Sequence, residues 1–281
     1  MGNKMEKGSL KTPSNKIRLL ISDIDGTLIT KDKVLTPETC EAAKSLNKAG
    51  IQLCLVSSRP PQGIEFFFSQ LENNAPFAAL NGGEILDHQG HILSSLTMNQ
   101  DVVHQVIKLL QKNNVHVWLF GGTDWLVFNV ENAFVEHEVK TIHAPPQIIS
   151  HFDQYHGQIT KIGGISKDTD LLDRIAQELE SMFSGEIKAA RSSDHYLDIT
   201  HPKANKGHAA IELGKQLGID IKETACIGDM YNDIAMLKLA GLAIAMGQSD
   251  EEVQSHAHFV TESNENNGWA EAVKKYILPR A

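Results

Sequence analysis

The sequence has few cysteines, no run of basic residues and no long apolar stretch. Its three cysteines, Cys40, Cys54 and Cys226, are far apart and form no C-x-x-C pair, so we interpret them as small core residues in a reducing compartment. The formal net charge of -9 makes the chain a poor candidate for binding nucleic acid or an anionic membrane surface. No apolar run approaches the roughly 20 residues that a membrane-spanning helix needs.

The N-terminal residues and the histidines also carry no recognisable signal. Residues 1–16 are polar and lysine-rich and lack the apolar segment of a signal peptide. We therefore expect a tail that is disordered or was added for expression, and a cytoplasmic protein. The 13 histidines show no H-E-x-x-H motif and no zinc-type spacing, which favours surface or packing roles for most of them.

The most informative stretch is the run D-I-D-G-T-L at residues 23–28. It follows an apolar run, residues 17–22, that predicts a short buried strand. In an open parallel sheet, ligands bind at the end of the strands where Asp23 and Asp25 would lie. A carboxylate held by a metal can act as a nucleophile, and a second carboxyl two residues on can act as acid and base. The D-x-D pattern alone is also typical of a solvated turn, so its interpretation depends on the rest of the chain.

A helix and a second strand follow this run. Thr36 is typical of a helix N-cap before Pro37, and Gly50 of a helix end. Residues 51–56 predict a second buried strand, which should pair in parallel with the first through a right-handed crossover. Ser57 would then lie at the same sheet edge as the carboxylates, where its hydroxyl can donate to a phosphate oxygen. Ser57 can equally cap a helical segment at residues 62–71, and the two interpretations are compatible.

The pattern of elements predicts two domains in the 281-residue chain. Residues 84–197 are dominated by hairpins, which indicates an α+β domain inserted into the first one. The flanking residues 17–83 and 198–281 read as alternating strands and helices, so we expect an α/β fold with a parallel sheet there.

More acids follow a later strand of this parallel sheet. Asp229 and Asp233 come after an apolar run at residues 224–227, and Lys206 opens the preceding helix. Mg²⁺ prefers hard oxygen ligands, which Asp23, Asp229 and the backbone carbonyl of Asp25 can supply. A lysine ammonium would steady a nucleophilic carboxylate and a phosphate dianion. Phosphoryl transfer needs this kind of charge neutralisation and in-line positioning.

These motifs, taken in order, resemble the haloacid dehalogenase (HAD) superfamily. They are D-I-D-G-T-L, S-S-R-P, K-G and G-D-M-Y-N-D-I-A-M-L, and the resemblance covers nearly the whole chain from Ile17. The long insertion after N-G-G at residues 81–83 is similar to that of the Cof-type branch with a class IIB cap. The resemblance implies a Rossmann-like parallel-sheet core with an inserted α+β cap domain.

The resemblance also implies roles for the catalytic residues. Asp23 would be the nucleophile that forms an aspartyl-phosphate. Asp25 would protonate the leaving group and then activate water, and an acid at this position favours phosphatase over P-type ATPase chemistry. Lys206 would orient Asp23 and the phosphate.

Further residues would bind the metal and the phosphate. Asp229 would ligate Mg²⁺ together with Asp23 and Asp25, with Asp233 close beside them. Ser57 would bind the phosphoryl oxygen, and Asn232 would contact phosphate.

The two residues after Ser57 have alternative interpretations. Ser58 stands where the superfamily usually has glycine, which can tighten the loop or change its phosphate contact without abolishing catalysis. Arg59 is either a surface salt-bridge residue or a substrate contact.

The cap adds candidates for substrate selection. Asn81 and Gly82 would lie at the hinge, and Arg191, Asp194 and His195 in the cap are candidates for contacts with the leaving group. For each of these residues the alternative is an ordinary surface or hinge position.

The motifs therefore predict a Mg²⁺-dependent phosphatase of small phosphorylated metabolites, such as sugar phosphates, flavin mononucleotide or pyridoxal phosphate. The alternatives are a phosphosugar mutase, which returns phosphate to the sugar, and a catalytically silent ligand-binding member of the fold. We expect no nucleic-acid or membrane partner, and a monomer or a homodimer.

Overall fold

The computed structural model describes residues 12–130, 133–155 and 157–281. The predicted tail therefore lies mostly outside the described residues. Its last part makes defined contacts, since the Ser14 amide donates to the Gly241 carbonyl at 2.8 Å. The Lys16 ammonium lies 3.2 Å from the Glu223 carboxylate.

Strands and helices occupy most of the described chain. The strands are, in order, β1 (Leu19–Ser22), β2 (Gln52–Leu55), β3 (Phe77–Ala79), β4 (Glu84–Leu86), β5 (Ile92–Ser95), β6 (His116–Gly121), β7 (Asp124–Val127), β8 (Gln147–Ile148), β9 (Lys161–Ile165), β10 (Lys188–Ser193), β11 (Tyr196–Thr200), β12 (Thr224–Gly228), β13 (Leu242–Ala245) and β14 (Phe259–Val260). The α-helices are α1 (Pro37–Lys48), α2 (Gln62–Glu65), α3 (Phe68–Leu71), α4 (Gln100–Lys112), α5 (Ala133–Ile142), α6 (Thr169–Met182), α7 (Lys206–Leu217), α8 (Ile234–Leu239), α9 (Glu251–Gln254) and α10 (Gly268–Ala272).

The chain divides into two compact units. The first comprises the described residues up to Ser57, Phe68–Phe77 and Lys206–Ala281, and the second comprises Ser58–Phe67 and Ala78–Asn205. This division assigns residues 58–67, 78–83 and 198–205 differently from the domain limits expected from the sequence. Those limits remain a prediction.

The first unit is built on a five-stranded parallel sheet of order β14-β13-β12-β1-β2. Strand β1 lies between β12 and β2 and is fully buried, and Leu20 pairs with Ala225 on one side and Leu53 on the other. Strands buried on both faces have apolar residues at successive positions, as in residues 19–21 and 53–56. The α/β fold class is therefore confirmed. Cys54 and Cys226 are buried in β2 and β12, the strands on either side of β1.

Helix α1 begins as the sequence predicts. The Thr36 side chain accepts the Thr39 amide, Pro37 is the first helical residue, and Ala42 and Leu46 are buried. The capping role considered for Ser57 is wrong, because α2 begins at Gln62 after an N-cap at Pro61 that has no side-chain hydrogen bond.

The second unit contains a six-stranded mixed sheet of order β10-β11-β9-β6-β7-β8. Its strands pair antiparallel except β7 with β8. The hairpins expected around residues 87–90 and 121–124 are present as β4–β5, which belongs to a separate three-stranded sheet with β3, and as β6–β7. Helices α4 and α6 bury apolar stripes against one face of this sheet, in a core that includes Val106, Leu110, Leu119, Ile162 and Leu172. Within the described ranges we find no helix with the length and apolar character to cross a membrane.

Candidate active site

Three acids meet at the carboxyl ends of β1 and β12. Asp23 directly follows β1, and Asp229 directly follows β12, with Asp233 a helical turn later. Because these strands are parallel neighbours, their ends lie side by side, and the Asp23 amide donates to the Ile227 carbonyl at 3.1 Å. One carboxylate oxygen from each of the three acids lies within 4.8 Å of the others. All three acids are buried.

Lys206 connects two of these acids. Its Nζ lies 2.6 Å from Asp23 Oδ1 and 2.6 Å from Asp233 Oδ1. The Lys206 side chain is 2% exposed, so both contacts lie away from bulk water. Lys206 is the first residue of α7, and its ammonium therefore lies at the sheet edge although Lys206 follows Asp23 by 183 residues in the sequence.

Asp229 and Asp233 also accept hydrogen bonds from donors in the loops at the same edge. Thr27 Oγ1 donates to Asp229 Oδ1 at 2.8 Å. The amides of Asp229 and Met230 donate to Asp233 Oδ2 at 3.0 and 2.9 Å. Asp233 thus accepts from three donors in all, including Lys206. Its oxygens are committed to holding the loop together, which leaves Asp23 and Asp229 better placed to contact a ligand.

Two glycines make room for these carboxylates. Gly26 has a φ of +78°, and a Cβ added there would lie 2.3 Å from Asp229 Oδ2. A Cβ at Gly228 would lie 2.4 Å from Asp233 Cγ. The glycine of D-I-D-G-T-L is therefore needed twice, for its backbone conformation and for the close approach of Asp229.

Burial of several acids together shifts their pKa values. Desolvation raises the pKa of Asp23 well above its usual range, with Lys206 opposing the shift and Asp233 and Asp229 adding to it. Desolvation and the charge of Asp233 raise the pKa of Asp229 to about 6. Desolvation lowers the pKa of Lys206, but Asp23 and Asp233 outweigh it and the net shift is upward.

These residues fit a divalent cation. Three ionised carboxylates and one ammonium sum to -3 + 1 = -2, which one divalent cation neutralises. The donors are carboxylate oxygens, the ligands that hard cations prefer. Among the described residues this is the one cluster of three or more acids, histidines or cysteines with such spacing. The raised pKa values of Asp23 and Asp229 show the cost of holding these negative charges together in a buried site, which a bound cation would reduce.

Asp25 lies apart from the buried cluster. Its Oδ1 is 2.6 Å from the Lys33 ammonium, and its side chain is 33% exposed. Ser57 follows β2 at the same sheet edge and is buried, and Asn232 is exposed in the turn before α8. The structure thus places Ser57 at the sheet edge, as expected from the sequence.

The remaining sequence candidates belong to the second unit. Arg59 is buried, so it does not lie on the surface, and its Nη1 donates to the carbonyls of Gly63 and Thr141 at 3.1 and 3.3 Å. Ser58 is half-buried beside Arg59. Asn81 and Gly82, in the turn after β3, both have positive φ, 57° and 84°.

The candidates near the β10–β11 turn lie on the surface. Arg191 Nε lies 2.6 Å from Asp173 Oδ1, and Arg191 Nη1 lies 3.8 Å from Asp194, whose side chain is 88% exposed. The His195 ring contacts Phe134 edge to face at 5.6 Å.

Several residues at the site were missed by the sequence analysis. The Ser22 hydroxyl donates to the Asp23 carbonyl at 2.7 Å, and Trp269 Nε1 donates to Ser22 Oγ at 2.9 Å. Gln248 Nε2 donates to the Gly26 carbonyl at 2.6 Å. These bonds fix the backbone on both sides of the first motif. No local signal predicts them, because the partners lie 247 and 222 residues apart.

Comparison with known proteins decides the family. A family model described as haloacid dehalogenase-like hydrolase matches residues 20–273. The chain belongs to this family. A haloacid dehalogenase-like hydrolase from Bacteroides thetaiotaomicron has a similar structure, with a TM-score of 0.86 and 26% identity over 92% of this chain and 99% of that one. The resemblance stated from the motifs is confirmed, and this chain is a HAD hydrolase.

Sequence similarity to named phosphatases covers nearly the whole length of this HAD hydrolase. A 5-amino-6-(5-phospho-D-ribitylamino)uracil phosphatase from Bacillus subtilis is 28% identical, over 90% of this chain and 96% of the relative. A pyridoxal phosphate phosphatase from Escherichia coli is 25% identical, over 93% of this chain and 99% of the relative. Both names describe phosphoric monoester hydrolases that act on small molecules.

Proposed function

We propose that this HAD hydrolase is a phosphatase that removes phosphate from small phosphorylated metabolites through an aspartyl-phosphate intermediate. The observation that carries the proposal is the buried Lys206 ammonium, 2.6 Å from both Asp23 and Asp233. A lysine in this position orients the Asp23 carboxylate and offsets the negative charge that a phosphate brings into the site.

In the first half of the reaction, a carboxylate oxygen of Asp23 attacks phosphorus while the bond from phosphorus to the leaving alcohol breaks. Asp25 donates its proton to the alcohol oxygen. In the second half, Asp25 accepts a proton from water as the water oxygen attacks phosphorus. Inorganic phosphate leaves, and the Asp23 carboxylate and the Asp25 carboxyl are restored. The Asp25 side chain is 33% exposed, so an alcohol or a water molecule can reach it.

Binding of the phosphate falls to groups at the same sheet edge. The hydroxyl of Ser57, buried after β2, would donate to a phosphoryl oxygen, and the exposed amide of Asn232 would contact the same group. Arg59 and Ser58 follow Ser57 directly. The hydrogen bonds that Arg59 makes to backbone carbonyls support a role in shaping this loop.

The metal that suits the acid cluster is Mg²⁺. Asp23, Asp229 and the backbone carbonyl of Asp25 would hold it, with Asp233 positioning the loop of Asp229 beside them. When bound, it would neutralise charge on the transferring phosphoryl group and polarise the phosphorus–oxygen bonds. The protein's own contribution is to keep Asp229 aligned through Thr27 and to keep Asp23 aligned through Lys206.

The substrate class rests on the relatives. Two relatives at 28% and 25% identity are named for different substrates, a phosphorylated ribitylaminouracil and pyridoxal phosphate. Such a spread supports small phosphate monoesters as the class, with sugar phosphates, flavin mononucleotide and pyridoxal phosphate as the first compounds to test.

Phosphate release from a panel of these esters, with and without Mg²⁺, tests the proposal. Wild-type protein should release phosphate only with the metal, and Asp23→Asn should lose turnover while keeping its fold. Asp153→Asn is a matched control, because that side chain is 85% exposed and outside the acid cluster, and it should retain full activity. Turnover that survives Asp23→Asn would overturn the assigned nucleophile.

The same assay separates the alternative functions. A phosphosugar mutase would need an activating bisphosphate and would return phosphate to the sugar, so free phosphate would not accumulate. A silent member of the fold would be stabilised by Mg²⁺ and ligand but would release no phosphate from any ester.

A further inference from the structure

The loop after β1 is closed around a single carbonyl. The amides of Thr27, Leu28 and Ile29 all donate to the Ile24 carbonyl, at 3.3, 2.9 and 3.2 Å. Asp25 lies at the start of this turn, directly after Ile24. Because three amides share one acceptor, carbonyls of the turn take hydrogen bonds from other parts of the chain.

Two later segments of the first unit supply such donors. Gln248, which follows β13, donates from Nε2 to the Gly26 carbonyl at 2.6 Å. Asn264, which follows β14, donates from Nδ2 to the Ile29 carbonyl at 2.9 Å. We call Gln248 and Asn264 the clasp, because they hold the turn of Asp25 at two points. Both clasp residues and the turn belong to the same compact unit.

The two members of the clasp are also bonded to each other. Gln248 Oε1 accepts the Asn264 amide at 3.2 Å, so both ends of the Gln248 side chain are used. Asn264 is buried, and its neighbour Glu265 extends the contact by accepting the Lys31 amide on Oε1 at 2.7 Å. The contact therefore runs along the turn from Gly26 to Lys31.

The clasp acts on the backbone of Asp25. The Asp25 carboxylate pairs with Lys33, and both side chains are partly exposed, so this ion pair restrains the carboxylate weakly. The clasp holds the backbone on the C-terminal side of Asp25. The Ser22 hydroxyl holds it on the N-terminal side, at the Asp23 carbonyl. A backbone fixed on both sides determines which atoms the Asp25 carboxyl can reach.

We propose that Gln248 and Asn264 are positioning residues for the reaction. They hold the Asp25 backbone so that its carboxyl reaches the leaving oxygen and its carbonyl reaches the metal. The inference rests on the proposed function, in which Asp25 is the general acid. A shift of about 1 Å in such a group lowers the rate by about 100-fold. Loss of a group that supports a metal ligand lowers metal affinity by about 10–100-fold.

The leaving group provides the first test. Glucose 6-phosphate has a poor leaving group that needs a proton from Asp25, whereas p-nitrophenyl phosphate releases a nitrophenolate that does not. The kinetic constant to compare is kcat/KM at saturating Mg²⁺, because it covers the steps up to departure of the leaving group. Gln248→Met removes the amide contacts without adding a charge. It should lower kcat/KM about 100-fold for the sugar phosphate and less than about threefold for the aryl ester.

Three further variants make this result specific. Asp25→Asn should show the same difference between the two esters. Asn264→Asp removes the buried donor and should show it as well. Gln105→Met is the matched control, because this exposed amide also donates to a backbone carbonyl, that of Asp101 at 3.3 Å, but lies in the second unit. It should leave kcat/KM for both esters unchanged.

Mg²⁺ affinity separates this inference from the proposed function, because calorimetry needs no turnover. Gln248→Met should bind Mg²⁺ about tenfold more weakly than Gln105→Met. If the wild-type protein hydrolyses neither ester, the proposed function fails, and the Mg²⁺ comparison alone decides the role of the clasp. Equal Mg²⁺ affinities in the two variants would overturn the inference. An equal loss of kcat/KM for both esters in Gln248→Met would also overturn it, because a merely structural contact affects both reactions alike.

Discussion

Replacing Lys206 with methionine should destabilise the metal-free protein, and the loss should shrink as the pH falls. The ammonium makes two contacts of 2.6 Å, to Asp23 and Asp233. At an effective dielectric constant of about 20, each contact contributes roughly 6 kcal/mol of Coulomb attraction, which the desolvation of the three charges largely offsets. Removing one partner of such a buried set leaves carboxylates uncompensated and typically costs about 3–5 kcal/mol.

The pH dependence follows from the sign of the carboxyl shift. The pKa of Asp23 is already raised by burial, and removing Lys206 raises it further because the opposing charge is gone. In the unfolded chain an aspartate carboxyl has a pKa of about 4. When the pKa in the folded protein is higher, the folded protein loses stability as the pH rises from the unfolded pKa to the folded pKa, because the folded state must give up a proton that it binds more tightly. The variant should therefore be about 3–5 kcal/mol less stable than wild type at pH 7.5 and recover much of the difference at pH 5.

Urea unfolding in EDTA at the two pH values measures this effect. Lys215→Met is the control, because its ion pair with Glu212 lies on the surface, with the lysine side chain 64% exposed. A surface pair is worth less than about 1 kcal/mol at either pH. If Lys206→Met unfolds within about 1 kcal/mol of wild type at both pH values, the three acids are not an uncompensated buried cluster. A variant that folds only at pH 5 supports the same reasoning.

Two further predictions concern metal binding at the acid cluster. Gly26→Ala should weaken Mg²⁺ binding, measured by calorimetry, because the added Cβ would lie 2.3 Å from Asp229 Oδ2. Gly50→Ala is the control, because Gly50 has a similar φ of +75° but no atom within 4 Å of the added Cβ. It should change the stability of the protein and leave Mg²⁺ affinity unchanged. Equal affinities in the two variants would contradict the steric argument. Mg²⁺ affinity should also fall as the pH drops through about 6, because burial and Asp233 raise the pKa of Asp229 to that value and a bound proton must leave before the metal binds. A flat affinity between pH 7.5 and 5 would show that Asp229 is not a ligand.

The parallel sheet and the acids could be predicted because their signals are local. Residues 17–22 and 51–56 are mostly apolar, and the acids and Ser57 follow such runs directly. Parallel pairing then requires these ends to lie at one sheet edge, which the structure bears out for Asp23 and Asp229. The Thr36 cap was predictable for the same reason, since a cap and the amide it satisfies lie within one helical turn.

Contacts between distant residues could not be predicted. Arg59 was expected on the surface or at a substrate, yet it donates to a carbonyl 82 residues away, at Thr141. The relay from Trp269 through Ser22 to Asp23 spans most of the chain. Ser57 has a residue type typical of a cap, but Pro61 holds the N-cap position of the helix that follows. In each case the partner is chosen by packing of the folded chain, which a single sequence does not encode locally.

The order of the strands has a consequence for the protein while the ribosome is still making it. Strand β2 emerges soon after β1, but β12, on the other side of β1, follows only after the whole second unit has been synthesised. The hydrogen bond from Thr27 to Asp229 joins residues 202 positions apart, which is roughly 10–40 s of elongation at about 5–20 residues per second. Throughout that interval one edge of β1 has no strand to pair with, and Asp23 has neither its lysine nor its partner acids. A nascent chain therefore lacks the complete acid cluster and its lysine until α7 and β12 have been made.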